Sequence, residues 1–171
     1  SGIFEKTGIN PVDRVDLVSD DWLCYPAKVG DLLVLVYCYK EFFDLGFALC
    51  NLFELASIDE LARRPDAVYF FGVPGDGGYS YGDSATVFHE DEACGMLVAS
   101  VPCADRFGYF GYLKKMVLTL HNIIMMRRGR LPYHGAMVRI LLKGGVDKTL
   151  LVIGDTGAGK SETLEAFRTV G

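Results

Sequence analysis

A glycine-rich octapeptide near the end of the chain constrains the fold more than any other feature. Residues 154–161 read Gly-Asp-Thr-Gly-Ala-Gly-Lys-Ser, the G-x-x-x-x-G-K-S pattern of a loop that wraps the phosphates of a nucleoside triphosphate. The glycines allow a tight turn in which successive backbone N–H groups converge on phosphate oxygens. Such a loop follows a strand and leads into a helix whose positive dipole end faces the phosphate. The pattern therefore predicts a strand–loop–helix unit.

The residues on both sides of the loop meet this requirement. The run Thr149–Ile153 is short and almost wholly apolar, as is typical of a buried parallel strand. After the loop, Ser161–Arg168 has the spacing of an amphipathic helix, with Leu164, Phe167 and Ala166 expected on its inner side. We therefore predict that the chain binds a nucleotide.

Two residues at the end of the loop have their own roles in phosphate binding. Lys160 supplies a positive charge for the β- and γ-phosphates, and the hydroxyl group of Ser161 can ligate Mg²⁺. The expected cofactors are therefore ATP, or another nucleoside triphosphate, and Mg²⁺.

Composition narrows the class of protein. The chain has 171 residues, of which 50% are apolar and 23% charged, as in a globular protein of one domain or slightly more. Its net charge of −5 argues against a general nucleic-acid binder. The longest apolar stretches, Leu32–Tyr39 and Met116–Met126, are too short or too interrupted to span a membrane. The five cysteines include no C-x-x-C pair, which argues against a disulfide framework and for the reducing cytoplasm.

The remaining sequence predicts a mixture of strands and helices. A glycine-rich stretch, Gly72–Gly82, lacks a Lys-Ser pair and is better explained as a hairpin or surface loop than as a second phosphate loop. Strands are expected at Val15–Val18, Asp31–Tyr39, Ala67–Val73, Ala85–His89, Gly95–Val101, His134–Leu142 and Thr149–Ile153. Helices are expected at Glu41–Arg64, with Ser57 as an N-cap within it, at Tyr112–Arg128 and at Ser161–Arg168.

These elements predict an α/β fold of the mixed α+β kind. We place a domain boundary near residue 130, where a long helix ends. Residues 1–130 then form an N-terminal mixed α/β region of unknown role, and residues 131–171 form the start of a nucleotide-binding domain.

His134 opens the strand that precedes the strand of the phosphate loop. If those two strands are neighbours, its imidazole lies near one end of the sheet. The spacing alone leaves a functional and a structural role equally open.

The residues around the loop resemble one family. Tyr133-His134-Gly135, then an apolar strand, then the loop running into Ser161-Glu162, is similar to the catalytic domain of HPr kinase/phosphorylase. More distantly, it resembles the nucleotide-binding core of ATP-dependent phosphoenolpyruvate carboxykinase. The resemblance covers residues 113–171, about a third of the chain. It implies the first part of a P-loop, carboxykinase-like nucleotide-binding domain.

The activity that the resemblance implies is an ATP- and Mg²⁺-dependent phosphotransferase. Its γ-phosphate would pass to a protein serine or to a small hydroxyl compound, with His134 and Lys160 as catalytic residues. Glu162 either reaches the surroundings of the metal or is an acidic residue favoured in the first turn of a helix. The nucleotide-binding residues would be Gly154, Asp155, Thr156, Gly157, Ala158, Gly159, Lys160, Ser161 and Glu162, with Ser161 as the metal ligand.

Two alternatives remain open. One is a nucleotide-binding regulatory module without catalysis, and the other is a phosphoenolpyruvate carboxykinase-like enzyme. The family also needs acidic residues downstream of the loop, to hold Mg²⁺ and to act as a base. Since the sequence runs only about one helix past the loop, we expect the native protein to continue beyond Gly171. The sequence also leaves homo-oligomerisation open.

Overall fold

The computed structural model describes residues 3–75, 86–155 and 157–170. The chain divides into two compact units, Ser1–Ile124 and Met125–Gly171. Within the described residues, the first unit is built on a seven-stranded sheet and the second on a two-stranded hairpin, with helices in both. The predicted mixed α+β class is therefore confirmed.

The sheet of the first unit combines parallel and antiparallel pairs. In spatial order its strands are β1 (Glu5–Lys6), β6 (Val87–Asp91), β7 (Met96–Pro102), β5 (Ala67–Val73), β3 (Leu32–Tyr39), β2 (Trp22–Val29) and β4 (Glu54–Leu55). The central strand β5 is parallel to β3 on one side and to β7 on the other. Every residue of β5 is buried, which its uninterrupted apolar sequence predicts for a strand covered on both faces.

Gly72 allows the irregular geometry of β5. The register between β5 and β7 shifts between Phe71 and Val73, at a β-bulge. Gly72 has a φ of +86°, and a Cβ atom there would lie 2.5 Å from a ring carbon of Phe42. Both the backbone conformation and the close approach therefore require glycine.

One long helix covers a face of this sheet. The helix α3 (Phe110–Arg127) follows the predicted helix Tyr112–Arg128 closely. Its inward side chains recur at helical spacing and are fully buried in the main core: Leu113, Met116, Val117 and Leu120. They join Tyr69 and Phe71 of β5 in that core. Among the described residues, no helix has the length and apolar character needed to cross a lipid bilayer.

The predicted helix Glu41–Arg64 is largely wrong. The structure has a short α1 (Phe43–Ala48), then β4, then the single turn α2 (Ile58–Leu61). Tertiary pairing overrides helical propensity here, because Leu55 pairs with Ala27 of β2 and extends the sheet. The predicted N-cap is confirmed: Ser57 accepts from the Glu60 N–H at 3.3 Å, and Glu60 accepts from the Ser57 N–H at 2.8 Å.

Two further differences concern the start of the chain. The predicted strand Val15–Val18 is wrong, since these residues form no strand. The eight-residue strand β2 was not predicted, although it pairs with β3 along its whole length. Its alternate residues Tyr25, Ala27 and Val29 are buried, but proline and lysine between them obscure the pattern.

The other strands of the first unit lie close to their predicted bounds. β5 has its predicted bounds, and β3 and β7 each begin one residue later than expected. β6 begins at Val87, and Ala85 of the prediction lies outside the described residues. Most of the predicted surface loop Gly72–Gly82 also lies outside them.

The second unit consists of a hairpin and a helix. β8 (Gly135–Leu142) and β9 (Val146–Ile153) are antiparallel, and α4 (Lys160–Val170) contacts β8. The prediction of Thr149–Ile153 as a buried parallel strand is wrong: its described partner is antiparallel, and nearly all of β9 is exposed. A two-stranded hairpin lacks the second layer that buries a parallel strand. On α4, Leu164 is half-buried, whereas Ala166 and Phe167 are exposed and not inward as predicted.

Candidate functional site

The structure explains why glycine occupies three positions of the octapeptide 154–161. Gly157 has a φ of +82° and Gly159 a φ of +73°, a region that residues with a side chain rarely adopt. The Ala158 N–H donates to the Asp155 carbonyl at 3.1 Å, which closes a tight turn. A Cβ atom on Gly154 would lie 2.9 Å from the Cβ of Ala158. The chain therefore folds back on itself here more closely than other residues would allow.

Lys160 is the first residue of α4 and reaches back over the loop. Its ammonium group donates to the Gly154 carbonyl at 2.8 Å and to the Asp155 carbonyl at 2.6 Å. The positive charge is thus held against the start of the loop by two neutral acceptors. A phosphate oxygen is a stronger, charge-assisted acceptor for the same group.

The first turn of α4 presents the remaining predicted residues. Ser161 and Glu162 are both exposed there, at the positive end of the helix. Thr163 fixes the turn from behind, because its N–H and its hydroxyl group donate to the Gly159 carbonyl at 2.9 and 2.8 Å. Thr156 lies outside the described residues.

The hairpin brings His134 to the same end as the loop. His134 is exposed and directly precedes Gly135, which pairs with Ile153, the residue before Gly154. The two strands are therefore neighbours, and His134 lies at one end of their pair, as the sequence analysis expected for neighbouring strands.

The glycine after His134 has a structural role of its own. A Cβ atom on Gly135 would lie 2.8 Å from the Val152 carbonyl oxygen, so only glycine permits this approach of the strands. The sequence analysis assigned no structural role to Gly135. The position of this glycine directly after His134 was the one signal that could have indicated such a role.

The described residues fit a nucleotide that brings its own metal ion. Among them, no group of three or more His, Cys, Asp or Glu side chains lies close enough to hold a metal. Mg²⁺, however, commonly takes only one or two protein ligands and fills its shell with phosphate oxygens and waters. The exposed hydroxyl group of Ser161 at the loop suits such a partial set.

Two of the five cysteines, Cys38 and Cys103, are held in the protonated form. All five are free. Burial raises the pKa of Cys38 to about 12. The Cys103 thiol donates to Glu41 at 3.0 Å, and burial together with this carboxylate raises its pKa to about 12. Both thiols therefore stay protonated, and so unreactive, near neutral pH.

No protein-family model matches the chain, and no curated protein sequence is significantly similar to it.

Proposed function

We propose that the protein is an ATP- and Mg²⁺-dependent phosphotransferase whose nucleotide site is the loop Gly154–Ser161. The observation that carries the proposal is the geometry of the loop. Two glycines with positive φ, Gly157 and Gly159, lead directly into a helix that begins at Lys160. In such an arrangement, backbone N–H groups, the helix dipole and the Lys160 ammonium group can bind the same anion.

Different residues of the loop would bind different parts of the Mg-ATP complex. On nucleotide binding, Lys160 would exchange the carbonyls of Gly154 and Asp155 for phosphate oxygens. The exposed hydroxyl group of Ser161 would contribute one ligand to Mg²⁺, which offsets negative charge on the phosphates. The N–H groups at the start of α4 would bind phosphate oxygens, as they do at other helix N-termini.

His134 is the candidate for proton transfer at the acceptor hydroxyl group. Because β8 and β9 pair at Gly135 and Ile153, the imidazole and the loop share one end of the hairpin. Imidazole can take or give a proton near neutral pH, as transfer to a protein serine or a small hydroxyl compound requires. We also propose a cytoplasmic location, since five free cysteines suit a reducing compartment.

The test compares Lys160→Ala with Lys143→Ala, a matched control that removes an exposed lysine from the hairpin turn. At a Mg-ATP concentration of about 100 times Kd, binding should raise the free energy of unfolding by about 2.7 kcal/mol. We expect the native protein and Lys143→Ala to show this shift in thermal unfolding, and Lys160→Ala to lose most of it. Equal shifts in all three proteins would refute the nucleotide site.

A second measurement separates transfer from binding. We expect His134→Ala to keep the Mg-ATP shift and to lose about 100-fold or more in turnover of ATP, as for loss of a general base. If the native protein binds Mg-ATP but turns it over no faster than Lys160→Ala, it is a nucleotide-binding regulatory module. If turnover requires oxaloacetate as the substrate, it is a carboxykinase-like enzyme.

A further inference from the structure

One edge of the first unit carries large apolar side chains on its outer side. These belong to residues 52–61, which we call the 52–61 edge. Their exposed fractions are 45% for Leu52, 63% for Leu55, 87% for Ile58 and 44% for Leu61. Isolated exposed apolar residues are ordinary on protein surfaces, but a run of four in ten residues marks a candidate contact surface.

The backbone of the 52–61 edge is fixed by the core beneath it. Phe53 and Ala56 point inward and are buried. The Ala56 N–H donates to the Pro26 carbonyl at 2.9 Å, and the Tyr25 hydroxyl group donates to the Phe53 carbonyl at 2.6 Å. The outward side chains are therefore carried by a segment whose backbone is anchored to the core.

The four outward side chains are close neighbours along the chain. They recur every third residue, and three residues span at most about 10 Å even when fully extended. Ile58 and Leu61 are three residues apart on the single turn α2, so they share one face of it. We call these four exposed side chains, which lie within ten consecutive residues, the apolar strip.

The strip lies in an acidic environment. Residues 41–62 contain five acidic residues and neither lysine nor arginine. Lys28 pairs with the edge, since its ammonium group lies 2.8 Å from Glu60 and 3.9 Å from Glu54. Arg63 and Arg64 follow directly after the edge, but Arg63 pairs with Asp66 and Arg64 donates to the Cys94 carbonyl. Hydrogen bonds from Lys28 and Ser57 lower the pKa of Glu60 to about 2, so this carboxylate stays charged at neutral pH. With Asp59 included, negative groups outnumber positive ones on the 52–61 edge.

We propose that the 52–61 edge is the docking surface for a basic amphipathic helix of a partner protein. The apolar face of such a helix covers Leu52, Leu55, Ile58 and Leu61, and its flanking Lys and Arg side chains meet Glu54 and Asp59. A helix fits better than an added strand, because β4 has only two residues and offers little backbone for strand pairing.

The test uses a synthetic helical peptide of about 18 residues, with leucines on one face and lysines on the other. Its binding to the whole protein is followed by fluorescence anisotropy. The double variant Leu55→Ser/Ile58→Ser removes the centre of the strip. Val12→Ser/Leu17→Ser is the matched control, since it removes two exposed apolar side chains elsewhere in the same unit. Both variants change exposed positions, and circular dichroism checks that each stays folded.

We expect the peptide to bind the native protein and the control alike, and the edge variant at least 10-fold more weakly. Binding should weaken as salt is added, and a peptide with glutamates in place of the lysines should not bind. Equal binding to all three proteins would overturn the proposal, because the net charge of −5 would then explain it. So would self-association that Leu55→Ser/Ile58→Ser abolishes, because a second copy would then occupy the edge.

Discussion

Two tyrosines in the core of the first unit differ in what their hydroxyl groups contact. The Tyr25 hydroxyl group donates to the Phe53 carbonyl at 2.6 Å. The Tyr69 hydroxyl group is fully buried and has no hydrogen-bond partner among the described residues. Burial raises the pKa of Tyr69 well above its ordinary value, so the group stays neutral. A buried polar group without a partner costs about 1–3 kcal/mol of stability.

This difference predicts opposite effects for one substitution at two positions. Tyr69→Phe should raise the free energy of unfolding by about 1 kcal/mol, because it removes an unpaired hydroxyl group. Tyr25→Phe should lower it by about 1 kcal/mol, because the Phe53 carbonyl loses its donor. Urea unfolding followed by Trp22 fluorescence measures both. A destabilising Tyr69→Phe would mean that the hydroxyl group is paired in solution, most simply with a buried water.

At the scale of the element, the capping box of α2 illustrates a local pattern that sequence can predict. Ser57 followed three residues later by Glu60 is a start signal, and the structure has both of its hydrogen bonds. The same stretch shows where local patterns fail. The long helix predicted over Glu41–Arg64 gives way to β4, because pairing with β2 depends on residues far along the chain.

The capping box also predicts a dependence of stability on pH. In the fold, the pKa of Glu60 is lowered from 4.5 to about 2 by hydrogen bonds from Lys28 and Ser57. Because the folded value lies below the unfolded one, the stabilisation is complete above about pH 4.5. It is then lost as the pH falls towards 2.

The measurement is the free energy of unfolding against pH for the native protein and Glu60→Gln. The native protein should be the more stable of the two at neutral pH, and the difference should shrink as the pH falls from 4.5 to 2. Adding Lys28→Met to both proteins should reduce the difference at neutral pH, since it removes the main partner of Glu60. A difference that stays constant with pH would show that Glu60 is not paired in solution.

At the scale of the whole molecule, the two units differ in the fraction of their strand residues that is buried. β5 of the first unit is buried along its whole length, whereas almost every residue of β9 in the second unit is exposed. Segments with few buried apolar contacts open at low free energy and exchange their amide hydrogens quickly.

Hydrogen exchange followed by mass spectrometry should reproduce this difference. Peptides from Ala67–Val73 should exchange slowly, and peptides from Val146–Ile153 much faster, by about 100-fold or more. A chain that exchanges uniformly would contradict the difference in burial between the two units.

How much of the candidate site could be predicted from the sequence depends on the range of the interactions involved. The loop and the start of α4 follow from a contiguous motif, since Gly157, Gly159 and Lys160 act through their own backbone and near neighbours. The position of His134 depends on the pairing of two strands, which the sequence left open. The exposure of β9 was missed because an apolar run shows what a strand could bury and not what covers it.

The turn of the hairpin lies at the far end from the loop, yet it sets the alignment of the candidate catalytic residues. Gly144 and Gly145 both have positive φ, and eight residue pairs separate this turn from His134, a distance of about 25 Å. Adding or removing one residue in the turn would shift β8 against β9 by one position and move each side chain of β8 to the opposite face. An insertion in this turn, far from the phosphate loop, could therefore move His134 away from Lys160.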